Sequence, residues 1–196
     1  MITYSHLLYG WLDPLLVKFE REGTPREAKE QAMLTAALYD VLLFGVGRFG
    51  GAVAQRLKAR GLNVLAIDFN PAAVRRWRAE GFEVLYGDVT DPEFIANLPM
   101  AGVSWAVSAV PEHETGVTRD DSRLALIQTL RDLDFQGKIA VTSHRADDWE
   151  RLRAVGAHLI LQLFQDAADQ AANLLAGQQP PPRFEVIEPE DQKELL

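Results

Sequence analysis

The chain has 196 residues, a formal net charge of −8 and no cysteine. This length allows one domain with extensions, the acidic charge argues against a nucleic-acid-binding face, and the absence of cysteine excludes disulfides, thiolate metal sites and cysteine nucleophiles. No apolar run approaches the roughly 20 residues that span a bilayer, and the N-terminus carries no basic leader followed by an apolar stretch. We therefore expect a cytoplasmic protein that does not bind nucleic acid.

Residues 1–39 are predicted to form an extension that precedes the main domain. Leu8, Leu12, Leu15 and Phe19 recur at the spacing of one helix face, so this segment is predicted to be helical. Two interpretations remain open. The apolar face packs on the domain that follows, or it lies beside a membrane or a partner protein, which its tryptophan and tyrosine content also favours.

Between residues 40 and 177, short apolar segments alternate with segments of helical periodicity. The predicted strands are residues 40–45, 63–68, 82–86, 103–109, 138–142 and 157–161. The predicted helices are residues 49–60, 71–80, 92–97, 115–133, 146–155 and 165–176. Continuous apolar strands between helices are typical of a parallel sheet covered on both faces, so we predict an α/β fold with a Rossmann-type, doubly wound, mainly parallel six-stranded sheet. The acidic tail, residues 178–196, is predicted to be disordered.

The first predicted strand runs into a glycine-rich turn, Gly45-Val46-Gly47-Arg48-Phe49-Gly50. Glycines at these three positions permit a tight turn, close approach of the backbone to a phosphate, and close packing of the helix that follows. That helix then directs free N–H groups and its positive dipole end at the anion. Asp68 ends the next strand, eighteen positions after Gly50, where a carboxylate accepts hydrogen bonds from ribose hydroxyls. The combination predicts an adenine-nucleotide site.

The charge of Asp68 also bears on which nucleotide binds. A 2′-phosphate would meet this carboxylate, and the next residues, Phe69 and Asn70, offer no cation. We therefore expect NAD(H) or an adenosine phosphate (AMP, ADP or ATP) in preference to NADP. Arg75 and Arg76 in the following predicted helix could weaken that preference.

The glycine turn, the segment Ile67-Asp68-Phe69-Asn70-Pro71 and the segment Gly87-Asp88-Val89-Thr90-Asp91-Pro92 together resemble the RCK domain, also called KTN or TrkA-N. The resemblance implies a nucleotide-binding regulatory module of potassium channels, transporters and cation:proton antiporters, and it implies a homodimer. The stretch from Tyr4 to Arg21 is similar to the segment that joins the last membrane helix to this domain in Kef-type antiporters of the monovalent cation:proton antiporter-2 group. It implies that the chain is the cytoplasmic C-terminal part of such an antiporter, at the inner face of the membrane, with a transmembrane antiporter domain as its partner.

The resemblance also implies roles for individual residues. Asp88 is placed at the adenine edge, although stabilising the start of the next helix is an equal alternative, and Val89 is expected to line the adenine pocket. The end of the fourth strand is expected beside a second phosphate or ribose, and a basic residue after the fifth strand is expected to contact phosphate or a second subunit. The predicted binding residues are Gly45, Val46, Gly47, Arg48, Phe49, Gly50, Asp68, Phe69, Asp88, Val89, Ala109, Val110 and Arg145.

Catalysis and metal binding are not expected. None of the four tyrosines has a lysine four positions later, so the Tyr-x-x-x-Lys pattern of short-chain dehydrogenases is absent. Residues 112–114 (Glu-His-Glu) have no second histidine at ligand spacing. The sequence thus predicts a regulatory domain that gates a potassium or other monovalent cation:proton antiporter. A free-standing NAD-binding redox sensor and an NAD-dependent oxidoreductase are the alternatives.

Overall fold

The computed structural model describes residues 38–110, 121–145 and 147–178. The predicted N-terminal helix, the start of the predicted helix 115–133, the segment 112–114 and the tail after residue 178 lie outside the described residues. Within these ranges the elements run in the order β1 (Val41–Phe44), α1 (Arg48–Lys58), β2 (Val64–Asp68), α2 (Pro71–Ala79), β3 (Glu83–Tyr86), α3 (Pro92–Ala96), β4 (Trp105–Ser108), α4 (Ser122–Asp132), β5 (Lys138–Ser143), α5 (Asp148–Ala154), β6 (Leu159–Gln162) and α6 (Leu163–Leu175).

The six described strands form one sheet in the order β3-β2-β1-β4-β5-β6, and every neighbouring pair is parallel. Phe44, the last residue of β1, pairs with Ile67 of β2 on one side and with Ser108 of β4 on the other. The prediction of a Rossmann-type, doubly wound sheet is confirmed. Because the strand order reverses between β1 and β4, a crevice opens at the carboxyl ends of these strands, where ligands bind in sheets of this kind.

Two helices of this domain begin at signals that are readable in the sequence. Asn70 Oδ1 accepts the backbone N–H of Ala72 at 2.9 Å, and Pro71 occupies the first helical position of α2. Asp91 Oδ1 accepts the backbone N–H of Glu93 at 3.0 Å and caps α3 in the same way. These caps satisfy amide groups that have no partner inside the helix.

The sixth strand begins later than predicted, at Leu159 instead of residue 157. Ala157 donates its backbone N–H to the carbonyl oxygen of Leu152 at 3.0 Å, so it belongs to the turn that ends α5. The last helix begins earlier than predicted, at Leu163 instead of residue 165, and Leu163 directly follows the last residue of β6. Local sequence patterns place such boundaries only to within a few residues.

The core is formed by the sheet and the helices that pack on it, and all four residues of β1 are buried. One cluster of buried residues joins alternate positions of β1 to α1, β4 and β5, and a second joins the glycine turn to β2, α2 and β3. The first cluster comprises Val41, Leu43, Ala54, Val107 and Ala140. The second comprises Val46, Ala66, Val74, Trp77 and Val84. The core therefore holds the glycine turn in place directly through Val46.

The last described helix, α6, differs from the others because none of its residues is buried. Phe164, Leu174 and Leu175 on this helix are largely exposed. Among the helices in the described ranges, none has the length and apolar character needed to cross a membrane.

Candidate functional site

The turn between β1 and α1 has a backbone that only glycine adopts readily at its first position. Gly45 has φ +91°, and a Cβ placed there would lie 3.1 Å from the carbonyl carbon of Ala109 and 3.1 Å from the nitrogen of Val110. Its N–H donates to the carbonyl oxygen of Ile67 at 2.7 Å. Gly45 therefore fixes the turn at the point where β1, β2 and the end of β4 meet.

The other two glycines of the motif have different surroundings. A Cβ on Gly50 would lie 1.9 Å from the carbonyl oxygen of Gly45, so the start of α1 packs directly on the turn. A Cβ on Gly47 would meet no atom of the described residues within 4 Å. Gly50 is therefore required by packing within the protein, whereas the space beside Gly47 is open to a ligand.

The N-terminus of α1 is left uncapped by side chains. Gly47 is the N-cap residue and has no side chain to accept a hydrogen bond, and the first turn of the helix contains no acidic residue. Arg48 and Phe49 occupy the first two helical positions. The free N–H groups and the positive end of the helix dipole can therefore stabilise an anion at this point.

Asp68 is held in one orientation by two backbone amides. Its Oδ2 accepts the N–H of Val46 at 2.8 Å, and its Oδ1 accepts the N–H of Asn70 at 2.8 Å. The carbonyl oxygen of Val46 in turn accepts the indole N–H of Trp77 at 2.9 Å, and this ring packs against Gly51. Each carboxylate oxygen keeps a further lone pair with which it can accept a ligand hydroxyl.

These elements enclose a cavity of about 530 Å³ at the carboxyl ends of β1 and β2. This volume lies within the range of small-molecule sites. Eight of the predicted binding residues line it: Gly45, Val46, Gly47, Asp68, Phe69, Val89, Ala109 and Val110. The remaining lining residues are Phe44, Ile67, Asn70, Ala72, Ala73, Arg76 and Gly87.

Five of the predicted binding residues do not line this cavity. Arg48, Phe49 and Gly50 form the first turn of α1 beside it. Asp88 Oδ1 accepts both the backbone N–H and the hydroxyl of Thr90 at 2.8 Å, in the turn that precedes Asp91, the N-cap residue of α3. Its contact with adenine stays a prediction.

The last of these five, Arg145, lies just after β5. It pairs with Asp147, with Nη2 2.7 Å from Oδ2 and Nε 3.0 Å from Oδ1. Both side chains of this pair are more than half exposed. The structure therefore gives Arg145 a local partner, and its contact with a nucleotide or a second subunit stays a prediction.

Arg76 is the most informative lining residue that was not among the predicted binding residues. It lies on α2, four positions after Ala72 and three after Ala73, which line the same cavity. Residues at these spacings share one face of a helix. This spacing, together with the start of α2 only three positions after Asp68, is the signal in the sequence that could have identified Arg76.

A buried charged cluster lies at the carboxyl end of β5 and was not predicted. Arg123, with 1% of its side chain exposed, places Nη2 2.7 Å from Oδ2 of Asp121 and Nη1 3.0 Å from Oδ2 of Asp148. Burial raises the pKa of Asp121, but hydrogen bonds from Arg123 and its charge outweigh this effect and hold that pKa below its ordinary value. Ser143 Oγ donates to Oδ2 of Asp148 at 2.9 Å. The cluster therefore ties α4 and α5 to the end of β5.

With this geometry established, comparison with known families identifies the domain. The sequence model of the TrkA-N domain matches residues 41–163, which include β1 through β6. The chain belongs to the TrkA-N domain family. The resemblance stated from the glycine turn and the segments around Asp68 and Asp88 is confirmed at the level of this family.

Solved structures share the fold of this TrkA-N domain at low sequence identity. The NAD(P)-binding domain of an exopolyphosphatase-related protein from Archaeoglobus fulgidus is 22% identical over 72% of this chain and 100% of that chain, with a TM-score of 0.61. The TrkA-N domain of the inner membrane protein YbaL from Escherichia coli is 18% identical over 70% of this chain and 98% of that chain, with a TM-score of 0.60. The GsuK channel bound to NAD is 20% identical over 82% of this chain and 28% of that chain, with a TM-score of 0.57.

GsuK has also been solved with a different ligand. The structure of GsuK bound to ADP is 20% identical over 86% of this chain and 43% of that chain, with a TM-score of 0.59. The present chain therefore spans less than half of each of these GsuK chains. At these identities the similarity establishes the shared fold.

Proposed function

We propose that this TrkA-N domain binds an adenine nucleotide, NAD(H) or AMP, ADP or ATP, and that the bound nucleotide regulates a cation transporter or antiporter in the membrane. The observation that carries the proposal is the convergence of three features on one cavity: the open space beside Gly47, the uncapped start of α1, and the fixed carboxylate of Asp68. The two ligands named for GsuK, NAD and ADP, both contain adenosine diphosphate, which supports the choice of an adenosine ligand.

The proposed pose follows from the chemistry of the cavity wall. A phosphate lies against the N–H groups at the start of α1, where the dipole and free donors favour an anion. The ribose hydroxyls donate to Asp68, whose oxygens are already oriented by backbone amides. The base extends toward Val89, a buried apolar residue after β3.

We also propose that the domain is not an enzyme. Among the described residues that line the cavity, Asp68 and Arg76 are the only ionisable side chains, and the pose assigns Asp68 to the ribose. Hydride transfer would require an acid–base group beside the reacting ring. A free-standing NAD-binding redox sensor remains the second candidate. It requires different affinities for NAD⁺ and NADH.

Regulation is proposed to act through a homodimer at the inner face of the membrane, with a transmembrane antiporter domain as partner. The uncovered apolar residues of α6, including Leu174 and Leu175, support a surface that a second copy covers. A nucleotide shifts the equilibrium between two arrangements of such a dimer only if it binds them with different affinities. Tight binding to both arrangements would change nothing.

The direct test is to identify and titrate the ligand of the full 196-residue chain. Mass spectrometry of nucleotide released from the purified protein comes first, followed by calorimetric titration with NADH, NADPH, AMP, ADP and ATP. We expect one adenine nucleotide to bind per chain, and light scattering to give the mass of a dimer. If none of the five binds, nucleotide sensing is wrong. If the mass is that of a monomer, the homodimer is wrong.

Asp68→Ala is expected to weaken binding of the nucleotide roughly 10- to 100-fold, because two charge-assisted hydrogen bonds to the ribose are lost. The matched control is Asp40→Ala, since Asp40 Oδ2 also accepts a backbone N–H, that of Asn63 at 2.7 Å, but lies at the opposite end of β1. Circular dichroism checks that both variants keep the fold. Equal calorimetric affinities for the two variants would remove Asp68 from the proposed site.

A further inference from the structure

Arg76 is the only cationic side chain among the described residues that line the cavity. Its guanidinium makes no hydrogen bond or ion pair with another described residue, and its Cζ lies 5.9 Å from the centroid of the Trp77 ring. By contrast, Asp68 in the same wall is held by two backbone amides. Among the described residues that line the cavity, Arg76 is therefore the one charged side chain that no hydrogen bond or ion pair to another described residue holds in place.

The small residues next to Arg76 on α2 leave room for its aliphatic side-chain carbons to extend over the cavity. Ala72 and Ala73 lie one turn earlier on the same face of α2, and each contributes only a methyl group to the wall. Helical side chains incline toward the N-terminus of their helix. The guanidinium can therefore lie over the part of the cavity between α2 and Val89, beside the ribose position at Asp68.

A phosphate on the ribose 2′-hydroxyl is a poor occupant of this position. The carboxylate of Asp68 would repel it. The start of α2 also offers it few donors, because Pro71 has no N–H and Asn70 Oδ1 accepts the N–H groups of both Ala72 and Ala73. A planar, uncharged aromatic group is a better partner, since a guanidinium stacks on aromatic faces and loses little hydration when it does so.

We propose that Arg76 is a specificity-determining residue that stacks its guanidinium on the adenine ring of the bound nucleotide. This inference rests on the proposed function and goes beyond it by assigning recognition of the base to one residue. The adenine lies between Val89 on the side of the sheet and Arg76 on the side of the solvent. Binding then depends on the planar shape of Arg76 as well as on its charge.

The test measures calorimetric affinities of the full chain for ADP, NADH and NADPH, each at low and at high salt, in wild type, Arg76→Ala, Arg76→Lys and Arg75→Ala. Arg75 is the matched control because it is an exposed arginine on the same helix that does not line the cavity. Arg76→Ala is expected to lower the affinity for ADP and for NADH about tenfold. Arg76→Lys is expected to restore little of this loss, because lysine keeps the charge and lacks the planar group. Arg75→Ala is expected to bind as wild type does.

Three results would overturn the stacking role. The first is an affinity of Arg76→Ala equal to that of Arg75→Ala. The second is full recovery in Arg76→Lys with a steep dependence on salt, which would indicate a simple charge contact. The third is a preference of the wild-type protein for NADPH over NADH that is lost in Arg76→Ala. This result would mean that Arg76 binds the 2′-phosphate. If the wild-type protein itself binds no adenine nucleotide, the proposed function is wrong. This result differs from the three above because it is seen in the wild-type protein and does not depend on any substitution.

Discussion

Gly50→Ala is expected to lower the free energy of unfolding by about 3 kcal/mol and to abolish nucleotide binding. The added Cβ would lie 1.9 Å from the carbonyl oxygen of Gly45 and 3.0 Å from Cβ of Ala109. The first of these neighbours is backbone that φ +91° and the hydrogen bond to Ile67 hold in place, so no flexible side chain can move aside. The start of α1 must therefore shift away from the turn. Urea unfolding and calorimetry of the same preparations measure the two effects.

Gly47→Ala is the matched control for this variant. It adds the same methyl group three positions earlier, where φ is −63° and where no atom of the part of the chain that the structure describes lies within 4 Å. We expect unchanged or slightly higher stability, because alanine restricts the unfolded chain more than glycine does. Nucleotide affinity should still fall at least about tenfold, because the methyl group occupies the space through which a phosphate approaches. A Gly50→Ala protein as stable as Gly47→Ala would show that the turn and α1 are not packed as described.

The difference between these glycines illustrates what the sequence could predict. The motif assigns a role to each glycine from its spacing, and the structure agrees at Gly45 and Gly50, where close backbone contacts occur. The sheet was equally predictable, because continuous apolar strands between helices have few ways to be buried other than in a parallel sheet. Asp68 could be placed because it is the last residue of a strand, β2, whose neighbour β1 leads into the turn.

Side-chain partners could not be predicted in the same way. Arg145 was expected to reach a nucleotide or a second subunit, yet Asp147, two positions later, provides a bidentate partner. The sequence indicates only that the charge of Arg76 is near Asp68, because its place in the cavity wall depends on the orientation of α2 against the sheet. Side-chain direction depends on helix orientation and burial, and neither of these is local in sequence.

Arg123→Met is expected to lower the free energy of unfolding by about 3–5 kcal/mol at neutral pH. The substitution keeps much of the buried volume but leaves Asp121 and Asp148 buried without the cation that both contact. Arg123 also donates to the carbonyl oxygen of Thr142 at 3.2 Å, and this hydrogen bond is lost as well. The control is Arg145→Met, which breaks an exposed arginine–aspartate pair. Its unfolding midpoint should match that of wild type, since exposed pairs contribute little.

The pH dependence of the stability lost in Arg123→Met tests the cause of that loss. In wild type the pKa of Asp121 lies below its ordinary value of 3.8, so the pair stabilises the fold fully above that value and loses its contribution as the pH falls through the folded-state pKa. Arg123→Met removes the side-chain hydrogen bonds and the charge that lower the pKa of Asp121 most, whereas burial, which raises it, remains. The backbone N–H of residue 123, 3.0 Å from Oδ1, and Arg151, with Nη1 4.0 Å from Oδ2, oppose burial only weakly, so the pKa is higher in the variant than in wild type. The stability difference between the two proteins should therefore be largest at neutral pH and shrink as the pH approaches about 4. A difference that is constant between pH 7 and about pH 4 would mean that lost packing, not an unpaired buried carboxylate, destabilises the variant.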